Sequence, residues 1–115
     1  MIVQVADYSR VPAYSEAQLE AAIAKQPVSV TVEADKPVFH HYTGGIINSS
    51  SCGTGLDHAI TAVGFSKTSD GGAYYIVRNS WGSSWGESGY VRIAATSSGP
   101  GICGIQMQNS YPKAR

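Results

Sequence analysis

A change of periodicity at Pro27 constrains the fold of this chain more than any other feature of its sequence. Residues 15–25 predict a helix, because Ser15 and Gln18 have the spacing of a capping box and apolar residues then recur on one helical face. Proline cannot continue a helix, so we expect the helix to end before Pro27. The chain after it alternates apolar and polar residues, a pattern typical of a strand.

Short strands are predicted for much of the remaining chain. Glycine and serine clusters separate several of the apolar segments, and the strand candidates are residues 2–5, 28–33, 58–65, 73–79, 89–94 and 104–107. One helix followed by short strands predicts an α+β, mainly antiparallel β fold, built as a twisted sheet or partial barrel. We interpret residues 1–115 as a single domain or one lobe of a larger one.

The composition excludes several classes of protein. Hydrophobic residues make up 43% and charged residues 14%, which is too apolar for a disordered chain and suggests that part of the surface is covered. The formal net charge is zero and no basic run predicts a nucleic-acid partner. No apolar stretch approaches the roughly 20 residues of a membrane span. The N-terminus lacks the layout of a signal peptide, so we expect any targeting segment to lie outside this chain.

Two short features bear on covalent modification. The cysteines, Cys52 and Cys103, permit a disulfide but do not prove one. The triplet Asn48-Ser49-Ser50 fits the acceptor pattern of N-glycosylation, although so short a match often arises by chance.

Three polar and aromatic residues carry the candidate chemistry. Taken alone, His58 is best explained as a buried, hydrogen-bonded histidine, Asn79 as a turn residue and Trp81 as packing. Their combination favours a different interpretation, because a catalytic imidazole needs a partner that fixes its ring and tautomer. An amide accepts that hydrogen bond without adding charge, and a neighbouring tryptophan can exclude water from it. The set therefore predicts a histidine held for proton transfer.

The motifs around these residues resemble the C-terminal half of the papain-like cysteine proteases. Residues 55–60 (GLDHAI) look like the histidine motif of that family, and residues 78–90 (RNSWGSSWGESGY) look like its asparagine motif. The resemblance extends over residues 26–30, 42–46, 101–104 and 111–112, so it covers essentially the whole chain. It implies the second, sheet-rich lobe of the papain-like fold.

The resemblance also implies a role for each residue. His58 would be the general base and acid and form an ion pair with a thiolate, Asn79 would orient it, and Trp81 would shield their contact. Cys52 and Cys103 match the disulfide of this lobe, which we expect to tie the loop before His58 to the last strand.

A substrate pocket and a cofactor-free mechanism follow from the same resemblance. Residues matching the pocket for the second substrate residue before the cut, or lying beside it, are Thr31, Leu56, Asp57, Ala59 and Gln108. We expect Asp57 to lie on a strand with its side chain directed away from those of its two neighbours. No metal or organic cofactor is implied, and adjacent His40 and His41 would point to opposite faces of a strand.

The chain departs from the family in lacking the stretch that carries the nucleophilic cysteine. Cys52 lies in a Gly/Ser loop with no helix N-terminus to stabilise a thiolate, which favours the disulfide over a replacement nucleophile. We therefore expect the chain alone to be inactive. Two hypotheses remain: it is part of a cysteine endopeptidase, or a non-catalytic module that binds a protease, an inhibitor or itself. Met1 is compatible with both.

Partners and location follow by resemblance. The expected partners are a Cys-bearing N-terminal lobe of the same enzyme, peptide or protein substrates, and cystatin-like inhibitors. The expected location is lysosomal, vacuolar or extracellular.

Overall fold

Nine helices and strands follow one another along the part of the chain that the computed structural model describes, residues 7–113. They are β1 (Asp7–Arg10), α1 (Glu16–Lys25), β2 (Val28–Val32), α2 (Pro37–His40), β3 (Ile46–Ile47), β4 (His58–Lys67), β5 (Ala73–Arg78), β6 (Tyr90–Ala94) and β7 (Asn109–Lys113). Two 3₁₀ helices, Ser50–Cys52 and Ile102–Gly104, join them. The strand predicted at residues 2–5 lies outside the described residues.

Helix α1 forms as its sequence predicts. The hydroxyl oxygen of Ser15 accepts the backbone N–H of Gln18 at 3.2 Å and so caps the first turn. Leu19 and Ile23 are buried on the face that packs against β4. The helix ends at Lys25, just before Pro27.

The strands form one sheet in the order β1-β7-β2-β4-β5-β6-β3. All neighbouring pairs are antiparallel except β3 and β6. The predicted antiparallel fold class is therefore confirmed. Because β4 and β5 run in opposite directions, the first residue of β4, His58, and the residue that follows β5, Asn79, lie at the same end of the sheet.

The core lies on one face of the central strands. The inward-facing valines of β2 are completely buried, as are Val77 of β5 and Val91 and Ile93 of β6, and α1 packs against β4. The largest fully buried side chains include Tyr75, Phe39, Leu19, Ile93 and Ile105. This packing gives the site at the end of β4 a rigid support.

The strand predicted at residues 104–107 is wrong. Cys103 and Gly104 have φ of 59° and 73°, which turns the chain into a 3₁₀ helix instead of extending it. Glycine is needed there because a Cβ would lie 2.6 Å from Cδ2 of Leu56. The last strand is β7 instead, in a segment with no alternating pattern.

Three other sequence-based expectations are corrected. The strand predicted at residues 28–33 ends at Val32, and Glu33 beyond it is 6% exposed, with its carboxylate accepting the N–H of Gly55 at 2.7 Å. Asp57 precedes β4 and is not part of a strand. His40 and His41 end helix α2, and their rings lie 5.0 Å apart and not on opposite faces of a strand.

Within residues 7–113, no helix has the length and apolar character that a bilayer crossing requires.

Candidate active site

His58 and Asn79 form the centre of the candidate site. The Nε2 atom of His58 lies 2.8 Å from Oδ1 of Asn79, which is a hydrogen-bond distance. Asn79 is 7% exposed, and its backbone N–H donates to the carbonyl of Gly89 at 3.0 Å. The backbone position of Asn79 is therefore held by a main-chain hydrogen bond.

The backbone N–H of Ser80 determines which ring nitrogen of His58 carries the proton. The backbone N–H of Ser80 lies 2.7 Å from the same Asn79 Oδ1, and a backbone N–H can only donate. The atom facing it must be the amide oxygen, so Nε2 of His58 carries a hydrogen and donates it to Asn79. Nδ1 of His58 is then the ring nitrogen available to accept a proton from another group.

Trp81 covers this pair, as the sequence predicts. Its ring is stacked on the imidazole of His58, with 5.0 Å between centroids and 26° between planes. Because Trp81 itself is 36% exposed, it lies between the imidazole and solvent on that side. An apolar cover lowers the local dielectric and strengthens the hydrogen bond beneath it.

An aromatic cluster holds Trp81 in place, and sequence reasoning missed it. Phe39 is fully buried and lies edge-on to Trp81 at 5.6 Å and beside Trp85 at 5.1 Å. The indole N–H of Trp85 donates to the carbonyl of His40 at 3.2 Å. Trp85 belongs to the asparagine motif, but nothing in the sequence linked Phe39 to it, because the two are far apart along the chain.

The carboxylate of Glu87 holds the loop that carries Trp81 and Trp85 to neighbouring segments of the fold. Glu87 accepts two hydrogen bonds from the guanidinium of Arg92, at 2.8 and 2.7 Å, and one from the N–H of Gly45 at 3.0 Å. The hydrogen bonds from Arg92 are the largest cause that lowers the pKa of Glu87 to about 2. Glu87 therefore ties β6 to the segment before β3.

The predicted substrate-binding residues are gathered only in part. Thr31 lies opposite Ala59 in the β2–β4 register, and its N–H donates to the carbonyl of Gln108 at 3.2 Å. Thr31 and Gln108 line one cavity of about 360 Å³, whereas Ala59 lines another of about 370 Å³ that also reaches Asn79. Leu56 lies beside Gly104. Their role in substrate binding stays a prediction.

Asp57 makes a structural contact. Its carboxylate oxygen Oδ1 accepts the N–H of Ala34 at 2.8 Å, and its own N–H donates to the carbonyl of Val32 at 3.0 Å. These bonds join the end of β2 to the start of β4 and fix the backbone just before His58. The side chain is thus engaged with the main chain.

The two cysteines form the expected disulfide. Cys52 and Cys103 are bonded, with 4.8 Å between their Cα atoms. The bond joins the two 3₁₀ helices, so Cys103 does not lie on the last strand as expected. Among residues 7–113 no free thiol remains. Within the same residues, no group of three or more histidine, cysteine or acidic side chains could hold a metal ion.

Comparison with known sequences identifies relatives over nearly the whole chain. A family profile described as papain family cysteine protease matches residues 1–113. The senescence-specific cysteine protease SAG39 of Oryza sativa subsp. indica is 46% identical over 98% of this chain and 33% of its own length. The germination-specific cysteine protease 1 of Arabidopsis thaliana is 49% identical over 96% of this chain and 30% of its own length. The chain thus spans about a third of these relatives.

Solved structures give the same result. The bromelain protease of Ananas comosus, solved with an inhibitor, superposes with a TM-score of 0.86 at 46% identity, covering 94% of this chain and 50% of that one. The ragweed pollen allergen Amb a 11, a cysteine protease solved in its proform, superposes with a TM-score of 0.90 at 30% identity. The match covers 99% of this chain and 34% of the allergen chain.

Proposed function

The chain belongs to the papain family of cysteine proteases, and we propose that it is the part of a cysteine endopeptidase that supplies the histidine and asparagine of the catalytic site. Its mainly antiparallel sheet matches the second lobe of the papain-like fold. The nucleophilic cysteine would come from a separate, N-terminal lobe, because both cysteines of this chain are joined in a disulfide. The complete enzyme would hydrolyse peptide bonds.

The observation that carries this proposal is the hydrogen bond from His58 Nε2 to Asn79 Oδ1. It leaves Nδ1 to accept the proton of a thiol, which gives a thiolate and an imidazolium. The thiolate would attack the peptide carbonyl, and His58 would then return the proton to the leaving amine. In the second half of the reaction, His58 would remove a proton from the water that hydrolyses the acyl-cysteine.

Asn79 and Trp81 would support His58 through this cycle without exchanging protons. The amide oxygen stabilises the imidazolium by accepting a hydrogen bond from its Nε2–H, and Nδ1 remains free to exchange a proton with the thiol. The stacked indole keeps water from competing for that hydrogen bond and attracts the ring when it is charged.

The Cys-bearing lobe would cover the outward face of β4 and β5. A groove of about 370 Å³ runs along this face beside Asn79, with Ala59, Thr61 and Val63 among its lining residues. Val63, which lines this groove, is 41% exposed. A groove of this kind beside Asn79 offers a surface that another protein can cover.

The substrate would contact the same end of the sheet. Thr31, Leu56, Ala59 and Gln108 offer small, apolar or uncharged side chains, so we propose a preference for Leu, Val or Phe over Arg at the second position before the cut. An arginine would lose hydration there without gaining a carboxylate partner. Cystatin-like inhibitors would bind at the same end of the sheet.

The disulfide supports a location outside the cytosol. Cys52 and Cys103 would form their bond in the secretory pathway, which leads to vacuoles, lysosomes or the extracellular space.

Reconstitution tests the proposed function. The chain is refolded alone and also joined to the Cys-bearing lobe of a plant relative, and hydrolysis of a fluorogenic peptide with Leu at the second position is followed. We expect activity only in the joined protein. Thiol alkylation should abolish this activity, and His58→Ala should reduce it at least about 100-fold. A joined, folded protein that is indifferent to His58→Ala contradicts the proposal.

A second candidate is a non-catalytic module that binds a protease, an inhibitor or another copy of itself. The exposed Val63 in the groove beside Asn79 favours it, because that groove can pair with a copy as well as with a lobe. Sedimentation of the isolated chain separates the two ideas. Stable dimers that persist when the Cys-bearing lobe is added would support the module, whereas self-association that the lobe displaces would support the enzyme.

A further inference from the structure

Asn48 lies at an accessible position of the fold. It is exposed and directly follows the short edge strand β3, and the 3₁₀ helix Ser50–Cys52 begins two residues later. Within residues 7–113, neither the Asn48 amide nor the Ser50 hydroxyl makes a hydrogen bond. The triplet Asn48-Ser49-Ser50 is the one stretch of the sequence with the acceptor pattern for N-glycosylation.

The surroundings of Asn48 leave room for a sugar. Strand β3 is the last strand of the sheet and pairs only with β6, so its outer edge faces away from the sheet. An open groove of about 440 Å³ lies beside Asn48, with Val38, Ile46 and Ile47 among its lining residues. A bulky polar group there would cover an open edge, which proteins otherwise protect with charges, bulges or neighbouring segments.

The sheet also separates Asn48 from the candidate active site. Two strands, β6 and β5, lie between β3 and the strand that begins with His58. A group attached at Asn48 would therefore leave the face around His58 and Asn79 open to substrate and to a second lobe.

The disulfide is an independent observation in favour of modification. Cys52 is four positions beyond Asn48 and is bonded to Cys103. Disulfides form in the oxidising compartments of the secretory pathway, where acceptor asparagines also meet the glycosylation machinery. Both features thus lie within residues 48–52.

We propose that Asn48 is an N-glycosylation site that carries one oligosaccharide. The co-substrate is a lipid-linked oligosaccharide pyrophosphate. A bond forms between Nδ2 of Asn48 and C1 of the first sugar, while the bond from that C1 to the pyrophosphate breaks. The amide loses one proton, and the lipid pyrophosphate leaves with the bonding electrons. No electron transfer is involved, and the modification is independent of peptidase activity.

The test uses the full chain behind a secretion signal, expressed both alone and joined to a Cys-bearing lobe in a glycosylating eukaryotic host. Intact mass is measured before and after digestion with a peptide N-glycosidase, on secreted and on retained protein. We expect a single glycan, lost completely in Asn48→Gln and in Ser50→Ala. Ser50→Thr keeps the acceptor pattern and should keep the glycan.

The matched control is Ser51→Ala, which changes the neighbouring hydroxyl and leaves the acceptor triplet intact. It should be glycosylated like the parent chain. Disulfide-bonded protein from the same cells with an unmodified Asn48 would overturn the proposal. So would a glycan that survives Asn48→Gln.

Discussion

His58 and Asn79 are 21 positions apart in sequence, and their side chains meet across two antiparallel strands at a distance of 2.8 Å. The amide oxygen also accepts the N–H of Ser80 at 2.7 Å, so its orientation does not depend on the histidine. This arrangement fixes both the tautomer and the ring orientation of the His58 imidazole. The proposed proton transfers depend on that property.

Removing the amide should reduce catalysis more than stability. In the joined enzyme, we expect Asn79→Ala to lower kcat by about 10- to 100-fold, because the imidazole loses its fixed tautomer and the imidazolium loses a partner. Gln106→Ala is the control, since Gln106 is also buried and its side-chain amide hydrogen-bonds with Tyr75 and Gly99 and not with His58. Equal losses of kcat in the two variants would contradict a specific role for Asn79.

The stacked indole can be tested in the isolated chain. Trp81→Ala should shift the ring-proton resonances of His58 downfield, because the ring current of the stacked Trp81 shields them. Tyr90→Ala removes an aromatic ring of similar exposure, 38% compared with 36%, and should leave these resonances unchanged. In the joined enzyme, kcat should fall about 10-fold in the first variant only. Identical spectra for the parent chain and Trp81→Ala would refute the stacking.

The disulfide should supply much of the stability of the chain. It spans 51 positions, and loop-closure arithmetic gives about 4 kcal/mol of stabilisation. The double variant Cys52→Ala/Cys103→Ala should therefore unfold at much lower denaturant concentration, and reduction of the parent chain should have a similar effect. Urea titrations followed by circular dichroism measure the change. A loss below about 1 kcal/mol would contradict this account.

A carboxyl on helix α1 should make stability depend on pH. Burial is the largest cause that raises the pKa of Glu20 to about 7, followed by the neighbouring carboxyl of Glu16, and Oε2 of Glu20 is buried without a hydrogen-bond partner. The neutral carboxyl of Glu20 should thus make its full contribution to the free energy of unfolding below pH 4.5, the ordinary pKa of the group. This contribution should be lost as the pH rises through about 7.

Glu20→Gln should remove this dependence. Near pH 8 the variant should be more stable than the parent chain by on the order of 1 kcal/mol, because no charge is then forced into a partly buried position. Glu16→Gln should give a smaller gain, since it removes only a neighbour of Glu20. Thermal unfolding of the three proteins at several pH values is the measurement, and parallel stability curves would contradict the prediction.

Local sequence signals predicted those parts of the fold that local interactions determine. The cap at Ser15 and the stop at Pro27 bounded α1, and apolar runs located β4 and β5. Strand β7 has no alternating apolar pattern in its sequence. It is held in the sheet by backbone pairing with β1 and β2, which are distant along the chain. Such long-range pairing leaves little trace in a short window of sequence.

The site was predictable to a similar extent. His58, Asn79 and Trp81 lie in two motifs, and their contact follows from the antiparallel pairing of β4 and β5. The support given by Phe39 was not predictable, because it comes from a buried residue remote in sequence from the motifs. The predicted pocket residues belong to different elements, and their grouping depends on sheet twist and on the covering lobe.

The orientation of His58 can be measured directly by ¹⁵N NMR of its ring in the isolated chain, with the sample held near pH 9. The account predicts a protonated Nε2 and an unprotonated Nδ1, and a mixture of the two tautomers in Asn79→Ala. A hydrogen on Nδ1 in the parent chain, or ring signals that Asn79→Ala leaves unchanged, would contradict the proposed arrangement of the site.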